Sequence, residues 1–209
     1  MTHDAVLVHR MLRRESATAP LLVRGVPPGD LSRAGRVADR VECVLRSLID
    51  HHRAEEEVLW PLLVARTPGA VGLRERMGCH RVELDVLVDD ALVTLARWRA
   101  QPAACPEPLA SQLEAVARGV AAQVDREEAE VLPLVPASVS PDEWLAVGAA
   151  ARRHVPQDRL FTELGLILRD ASSAERARVL GTLPLALRLL FLTVGERAFR
   201  REEARLRLP

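Results

Sequence analysis

One ordered set of four residues occurs twice in the sequence, and its histidines and glutamates are residue types that bind metals. The first copy consists of His9, His51, Glu55 and Pro61. The second copy consists of His80, Gln123, Glu127 and Pro133. His80 follows His9 by 71 residues, and the other three members follow their counterparts by 72. The sequence therefore predicts two similar halves that each contribute metal ligands.

The spacing of apolar residues predicts an all-α protein. Four long segments with apolar residues at helical spacing cover approximately 4–23, 31–66, 73–99 and 109–133, and no segment alternates as a strand would. Asp30 and Ser140 are predicted helix caps. Short connections between four helices favour an up-down-up-down bundle over residues 1–136. Residues 137–209 are expected to form additional C-terminal helices packed on that bundle.

The composition argues against several classes of partner. The formal net charge is +0, so the chain lacks the basic field that binds phosphate backbones, and we expect no nucleic-acid partner. The N-terminal residues lack the apolar core of a signal peptide, and the apolar run at 183–194 is too short to span a bilayer. The three cysteines show no paired spacing. We therefore expect a cytoplasmic protein without a membrane partner, as a monomer or homodimer.

The bundle topology predicts where the repeated residues meet. His9 and His80 lie early in the first and third helices, whereas the pairs ending in Glu55 and Glu127 lie late in the second and fourth. Antiparallel neighbours bring early and late positions to the same level, and a spacing of four places both members of a pair on one helical face. Because buried carboxylates facing histidines are costly without a counter-charge, a divalent cation is expected between them.

These motifs resemble the hemerythrin-like, or HHE cation-binding, domain family. The resemblance covers roughly the first two-thirds of the chain and is carried by the strings HHRAEEEVLWP and REEAEVLP. The part after Pro136 resembles the C-terminal extension of an actinobacterial-type subgroup. In that family a lone histidine and a His-x-x-x-Glu pair from each half bind two irons. The positions that match this ligand set are His9, His51, Glu55, His80, Gln123 and Glu127.

Gln123 departs from the family pattern because it stands where the pattern has a histidine. An amide oxygen is a weaker ligand than an imidazole nitrogen, so we expect one of the two irons to be held less firmly. His52, Glu56, Glu83 and Glu128 could supply extra ligands or supporting contacts, and the alternative for each glutamate is a solvated helix face. Mixed imidazole and carboxylate sites also suit manganese and zinc.

Three functions remain open from the sequence. The resemblance implies a non-haem di-iron protein that acts on dioxygen, peroxide or nitric oxide, and the weakened site favours an oxidase or peroxide-decomposing enzyme. The first alternative is a module that reversibly binds or senses dioxygen, nitric oxide or iron. The second alternative is a helical scaffold that has lost its metal, for which Gln123 is the supporting observation.

Overall fold

The computed structural model describes residues 2–101 and 105–206, and helices account for most of them. None of these described residues forms a β-strand, so the predicted all-α class is confirmed. No helix within the same part of the chain is long and apolar enough to cross a membrane.

Four long helices form the bundle. They are α1 (His3–Arg24), α2 (Leu31–Ala54), α4 (Ala70–Ala100) and α5 (Glu107–Arg126), with α3 (Trp60–Arg66) between the second and the third of them. Helix α1 packs against α2 and α5, and α4 packs against the same two neighbours, so the four helices close into a ring. Arg24 at the end of α1 pairs with Glu107 at the start of α5, and His9 contacts Glu128 just after α5, so early positions of α1 lie beside late positions of α5 as the predicted up-down-up-down order requires.

The helix ends follow local sequence signals. The Asp30 side chain caps α2 by accepting a hydrogen bond from the backbone N–H of Arg33. Gly69 precedes α4 with φ of 80°, a left-handed conformation that glycine adopts without steric penalty. On α2 the buried residues Val37, Val41 and Leu48 repeat at helical spacing and face the core. The cap at Asp30 defines where α2 begins, and the row of buried apolar residues defines which face of α2 packs in the core.

Two π-helical segments interrupt the bundle at equivalent places in the two halves. They span Glu55–Leu59, between α2 and α3, and Glu127–Val131, after α5. In the first, the N–H of Trp60 donates to the carbonyl of Glu55, and in the second that of Leu132 donates to Glu127. A proline follows each of these donors directly. Because proline lacks an N–H and crowds the preceding turn, a widened turn accommodates it inside a continuing helix.

The chain after the second π segment is also helical. A short 3₁₀ turn (Leu132–Leu134) leads into α6 (Val135–Ser138), and a third π segment (Phe191–Gly195) lies near the C-terminus. The remaining helices are α7 (Pro141–His154), α8 (Gln157–Leu168), α9 (Ser173–Gly181), α10 (Leu185–Leu190) and α11 (Glu196–Leu206). The predicted cap at Ser140 is confirmed, because its hydroxyl accepts from the N–H of Glu143 and the Glu143 side chain accepts from Ser140.

The C-terminal helices pack on one side of the bundle. Helices α7, α8 and α11 contact α2, while α8 and α9 contact α1. Leu166, Phe199 and Leu206 from this part of the chain are buried in the same apolar cluster as the bundle core. The extension therefore covers the α1–α2 face, which is the face closest to the first-half pair His51 and Glu55.

Candidate metal centre

Four of the candidate ligands meet inside the bundle. His9 comes from α1, His51 from the last turn of α2, and Glu55 and Glu127 are the first residues of the two π segments. Each residue offers one nitrogen or oxygen atom, and these four atoms all lie within 4.8 Å of one another. The two halves of the sequence therefore contribute to one shared group.

Glu127 lies between the two histidines. Its Oε2 is 3.2 Å from Nε2 of His9 and 3.6 Å from Nε2 of His51. The same His51 nitrogen is 3.5 Å from Oε1 of Glu55. His9, Glu55 and Glu127 are buried, so these charges are largely removed from water. Nitrogen and oxygen atoms from three parts of the fold thus face a common point.

The donor set fits a cation. Nε2 of His9, Nε2 of His51 and Oε2 of Glu127 are buried, and none of them has a partner in hydrogen-bond geometry among the described residues. A buried polar atom left without a partner costs free energy, so native proteins usually satisfy such atoms. Two imidazoles with two carboxylates are ligands that suit iron, manganese and zinc. A single divalent ion among these four residues would satisfy the three atoms together.

Titration of the group reflects the same crowding of charge. Burial lowers the pKa of His51, but the carboxylates of Glu55 and Glu127 outweigh this effect and raise it to about 9. Burial and the charge of Glu127 raise the pKa of Glu55 to about 8. Burial opposes ionisation of Glu127, yet His51 and His9 lower its pKa below the usual range. Bound protons therefore balance the negative charge of the carboxylates in this group. A metal ion would take the place of those protons.

Gln123 takes part in the site through Glu127. Its Nε2 donates a hydrogen bond to Oε1 of Glu127 at 2.7 Å, and its own Oε1 is buried without a hydrogen-bond partner among the described residues. The bond holds one Glu127 oxygen and leaves Oε2 facing the histidines. In this arrangement the amide orients a candidate ligand.

The position of His80 differs from the expectation that all six candidate ligands converge. His80 lies between the buried residues Met77 and Leu84 of α4, but its side chain is 41% exposed. Its Nδ1 approaches Oε2 of Glu83 at 4.0 Å, and the ring is not part of the group of four. The position on the helix alone does not determine which neighbours a side chain contacts. A ligand role for His80 stays a prediction.

Comparison with known families agrees with this geometry. A family model described as the hemerythrin HHE cation binding domain matches residues 2–135. The chain belongs to the hemerythrin HHE cation-binding domain family. No curated protein and no solved structure matches the chain. The match ends before the helices that follow residue 135, so the resemblance of the extension to one subgroup stays a prediction.

Three further side chains that the sequence offered as possible ligands also lie outside the group of four. Buried His52 approaches Asp85 of α4, with Nδ1 3.4 Å from Oδ1. Glu56 forms ion pairs with Arg74, at 2.7 Å, and with Arg81. Glu83 is 80% exposed on its side chain. None of the three belongs to the group of four, and a ligand role for them stays a prediction.

Sequence reasoning gave too little weight to Glu128. Its Oε1 is 3.0 Å from Nδ1 of His9, and its other oxygen is 3.7 Å from Arg13. When Nδ1–H of His9 donates to Glu128, Nε2 is left with its lone pair facing Glu127. Metal-binding histidines of many proteins are oriented in this way by a carboxylate. In the sequence, the only indication of this role is that Glu128 directly follows Glu127. A solvent-exposed glutamate on the helix surface would account for that position equally well.

Proposed function

We propose that this chain binds iron through His9, His51, Glu55 and Glu127 and decomposes hydrogen peroxide at that iron. The observation that carries the proposal is the set of three buried atoms without hydrogen-bond partners that face one point. Family membership supports iron, which hemerythrin-like domains typically hold, although the donor set also suits manganese and zinc. A bound iron would supply redox and Lewis-acid chemistry.

Peroxide decomposition needs no further reactant. Two molecules of hydrogen peroxide give two of water and one of dioxygen, since one peroxide is oxidised while the other is reduced. His51 and Glu55 line a mostly apolar cavity, so a small molecule could reach the ligands from that side. Gln123 and Glu128 would act as positioning residues by orienting Glu127 and His9. The proposal also includes two other reactions at the same iron, which are the reduction of dioxygen and reactions of nitric oxide.

The proposal includes one firmly held ion and one weaker one. The group of four supplies enough donors for one ion. A second ion would depend on His80, which is partly exposed and outside the group of four, and on the amide oxygen of Gln123. We therefore expect less than full occupancy of a second position.

The direct test measures dioxygen release from peroxide by protein loaded anaerobically with ferrous iron. Wild-type protein should sustain turnover, and His51→Ala should lose most of it together with its iron. Protein that binds iron firmly but releases no dioxygen would contradict the enzymatic part and favour reversible binding or iron storage.

Substitution of Gln123 tests the weakened half of the site. Gln123→His should tighten the second iron and slow turnover by at least about tenfold, because changes around metal ligands typically alter affinity or activity 10–100-fold. Gln112→His, which adds a histidine three turns earlier on α5, is the matched control. Unchanged iron content, affinity and turnover in Gln123→His would show that residue 123 does not act at the metal.

A further inference from the structure

The C-terminal helices enclose a cavity against the bundle. Its volume is about 200 Å³, and it lies between α1 and α2 on one side and α7, α8 and α9 on the other. Most of its surface is apolar. The walls include Val8, Leu59, Val147, Leu160, Leu164 and Ile167. Without the extension this space would be an open face of the bundle.

Two of the candidate metal ligands line the cavity. His51 and Glu55 both line it, as does Leu59 at the other end of the first π segment. A molecule bound in the cavity would therefore lie in a space shared with two of the four residues of the metal site. The cavity is thus large enough, and suitably placed, for more than a diatomic ligand.

Arg152 gives the cavity a single uncompensated positive group. It lies on α7, is half-buried and lines the cavity. Its guanidinium has no hydrogen bond or ion pair with any residue that the structure describes. Burial lowers the pKa of Arg152, and no neighbouring carboxylate offsets the effect. A partly desolvated cation without an anion is costly, which makes this position ready to bind one.

Several neighbouring charged groups have partners, whereas Oδ1 of Asp4, which also lines the cavity, is buried without a hydrogen-bond partner among the described residues. Arg153 contacts Glu57, and Arg159 is 2.8 Å from Asp50. Among the acidic groups that line the cavity, Glu163 accepts a hydrogen bond from Ser47. Arg152 is the one arginine of the cavity lining as described. An anionic ligand would therefore bind at Arg152 without displacing an existing ion pair.

We propose that this cavity binds a small carboxylic acid with an apolar body. The carboxylate pairs with the Arg152 guanidinium, whose fork of N–H groups matches its two oxygens. The aliphatic or aromatic body lies against the apolar walls of the cavity, which His51 and Glu55 also line. A cavity of 150 Å³ holds benzene, so 200 Å³ holds about eight to ten non-hydrogen atoms, the size of hexanoate or benzoate.

This inference rests on the proposed function only in treating His51 and Glu55 as part of a metal site. The acid would then be a substrate or regulator of that site. Binding itself requires the cavity and Arg152 alone, so it is testable in both metal-free and iron-loaded protein.

Calorimetric titration of the full chain with hexanoate and benzoate tests the proposal, with hexanol as the neutral analogue. Hexanoate should bind more tightly than hexanol. Arg152→Gln should weaken hexanoate by about 10- to 100-fold, as expected for a lost charge-assisted hydrogen bond, and should leave hexanol almost unchanged. Arg118→Gln removes an exposed arginine from α5 and is the control for charge.

A second variant fills the cavity. Gly148 lines it, and a Cβ there would meet only Nη1 of Arg152, at 3.5 Å, so Gly148→Leu should fold and exclude the acid. The matched control is Gly72→Leu on α4, where a Cβ would meet Nη1 of Arg76 at 3.8 Å. Thermal melting checks that both variants are folded.

Several outcomes would overturn the proposal. They are equal affinity for hexanoate and hexanol, unchanged hexanoate binding in Arg152→Gln or Gly148→Leu, or no binding of either acid in both metal states. The two proposals fail separately. Protein that binds hexanoate but no iron would contradict the proposed function alone, whereas protein that binds iron but neither acid would contradict this inference alone.

Discussion

Glu127 connects most of the polar contacts of the candidate site. One of its oxygens accepts from Gln123 at 2.7 Å, and the other is 3.2 Å from His9 and 3.6 Å from His51. Gln123, which departs from the family pattern, therefore contacts Glu127, which matches that pattern. As a ligand, Gln123 is expected to weaken the second half of the site, and as a hydrogen-bond donor it orients Glu127 of that same half.

At the same scale, Glu128 should control metal affinity through His9. Glu128→Ala removes the acceptor 3.0 Å from Nδ1 of His9 and should weaken metal binding by about 10–100-fold, as outer-shell changes do elsewhere. Glu128→Gln keeps an acceptor without the charge, so its affinity should lie between those of wild type and Glu128→Ala. Chelator competition with zinc or ferrous iron measures all three.

Glu130→Ala provides the control for this series. Glu130 is exposed two residues later, and its contact is with Arg76 at 3.4 Å. It should keep wild-type metal affinity. Wild-type affinity in Glu128→Ala would mean that His9 needs no orienting partner or does not bind metal.

The element that most distinguishes this bundle is the pair of π segments. Each begins at a glutamate of the candidate site and ends just before the residue that precedes a proline. π-helical turns are rare and occur frequently at functional sites. The repeated spacing from Glu55 to Pro61 and from Glu127 to Pro133 is visible in the sequence. It predicted a repeat of ligands, but the widened turns became apparent only in the structure.

Packing of the extension depends on one close helix contact. A methyl group on Gly165 of α8 would overlap the Phe199 ring of α11. Gly165→Ala should therefore lower the free energy of unfolding by about 1–3 kcal/mol, the usual cost of overpacking. Gly181→Ala, at the end of α9, would meet no atom within 4 Å and should raise it by about 0.4–1 kcal/mol.

Urea unfolding of both glycine variants measures these differences. The comparison is informative because both substitutions add the same methyl group to a helix. Equal stability of Gly165→Ala and Gly181→Ala would contradict the described contact between α8 and α11.

For the molecule as a whole, local spacing was enough to predict the bundle. Periodic apolar residues defined the four long helices, and the caps at Asp30 and Ser140 are where the sequence indicated. The duplication also indicated His9, His51, Glu55 and Glu127, which the structure brings together, and their role as ligands stays a prediction. These features depend on helix geometry and on antiparallel neighbours, which short-range patterns determine.

Features that depend on side-chain rotation or on distant contacts could not be predicted. The ring of His80 lies outside the group although its helix position suits the site. The bond between His9 and Glu128 joins residues 119 apart. The cavity with Arg152 requires the extension to fold back on α1 and α2. Each of these depends on which partners the tertiary fold brings together.

The iron content of purified protein tests the central claim most directly. Wild-type, His9→Ala, His51→Ala and His154→Ala proteins would be loaded anaerobically with ferrous iron, desalted and analysed for bound metal per chain. His154 is the control, because its ring contacts Glu57 at 3.1 Å and does not belong to the group of four. Wild type and His154→Ala should retain iron, while His9→Ala and His51→Ala lose most of it. Wild-type protein that holds no more iron than His51→Ala would contradict the account.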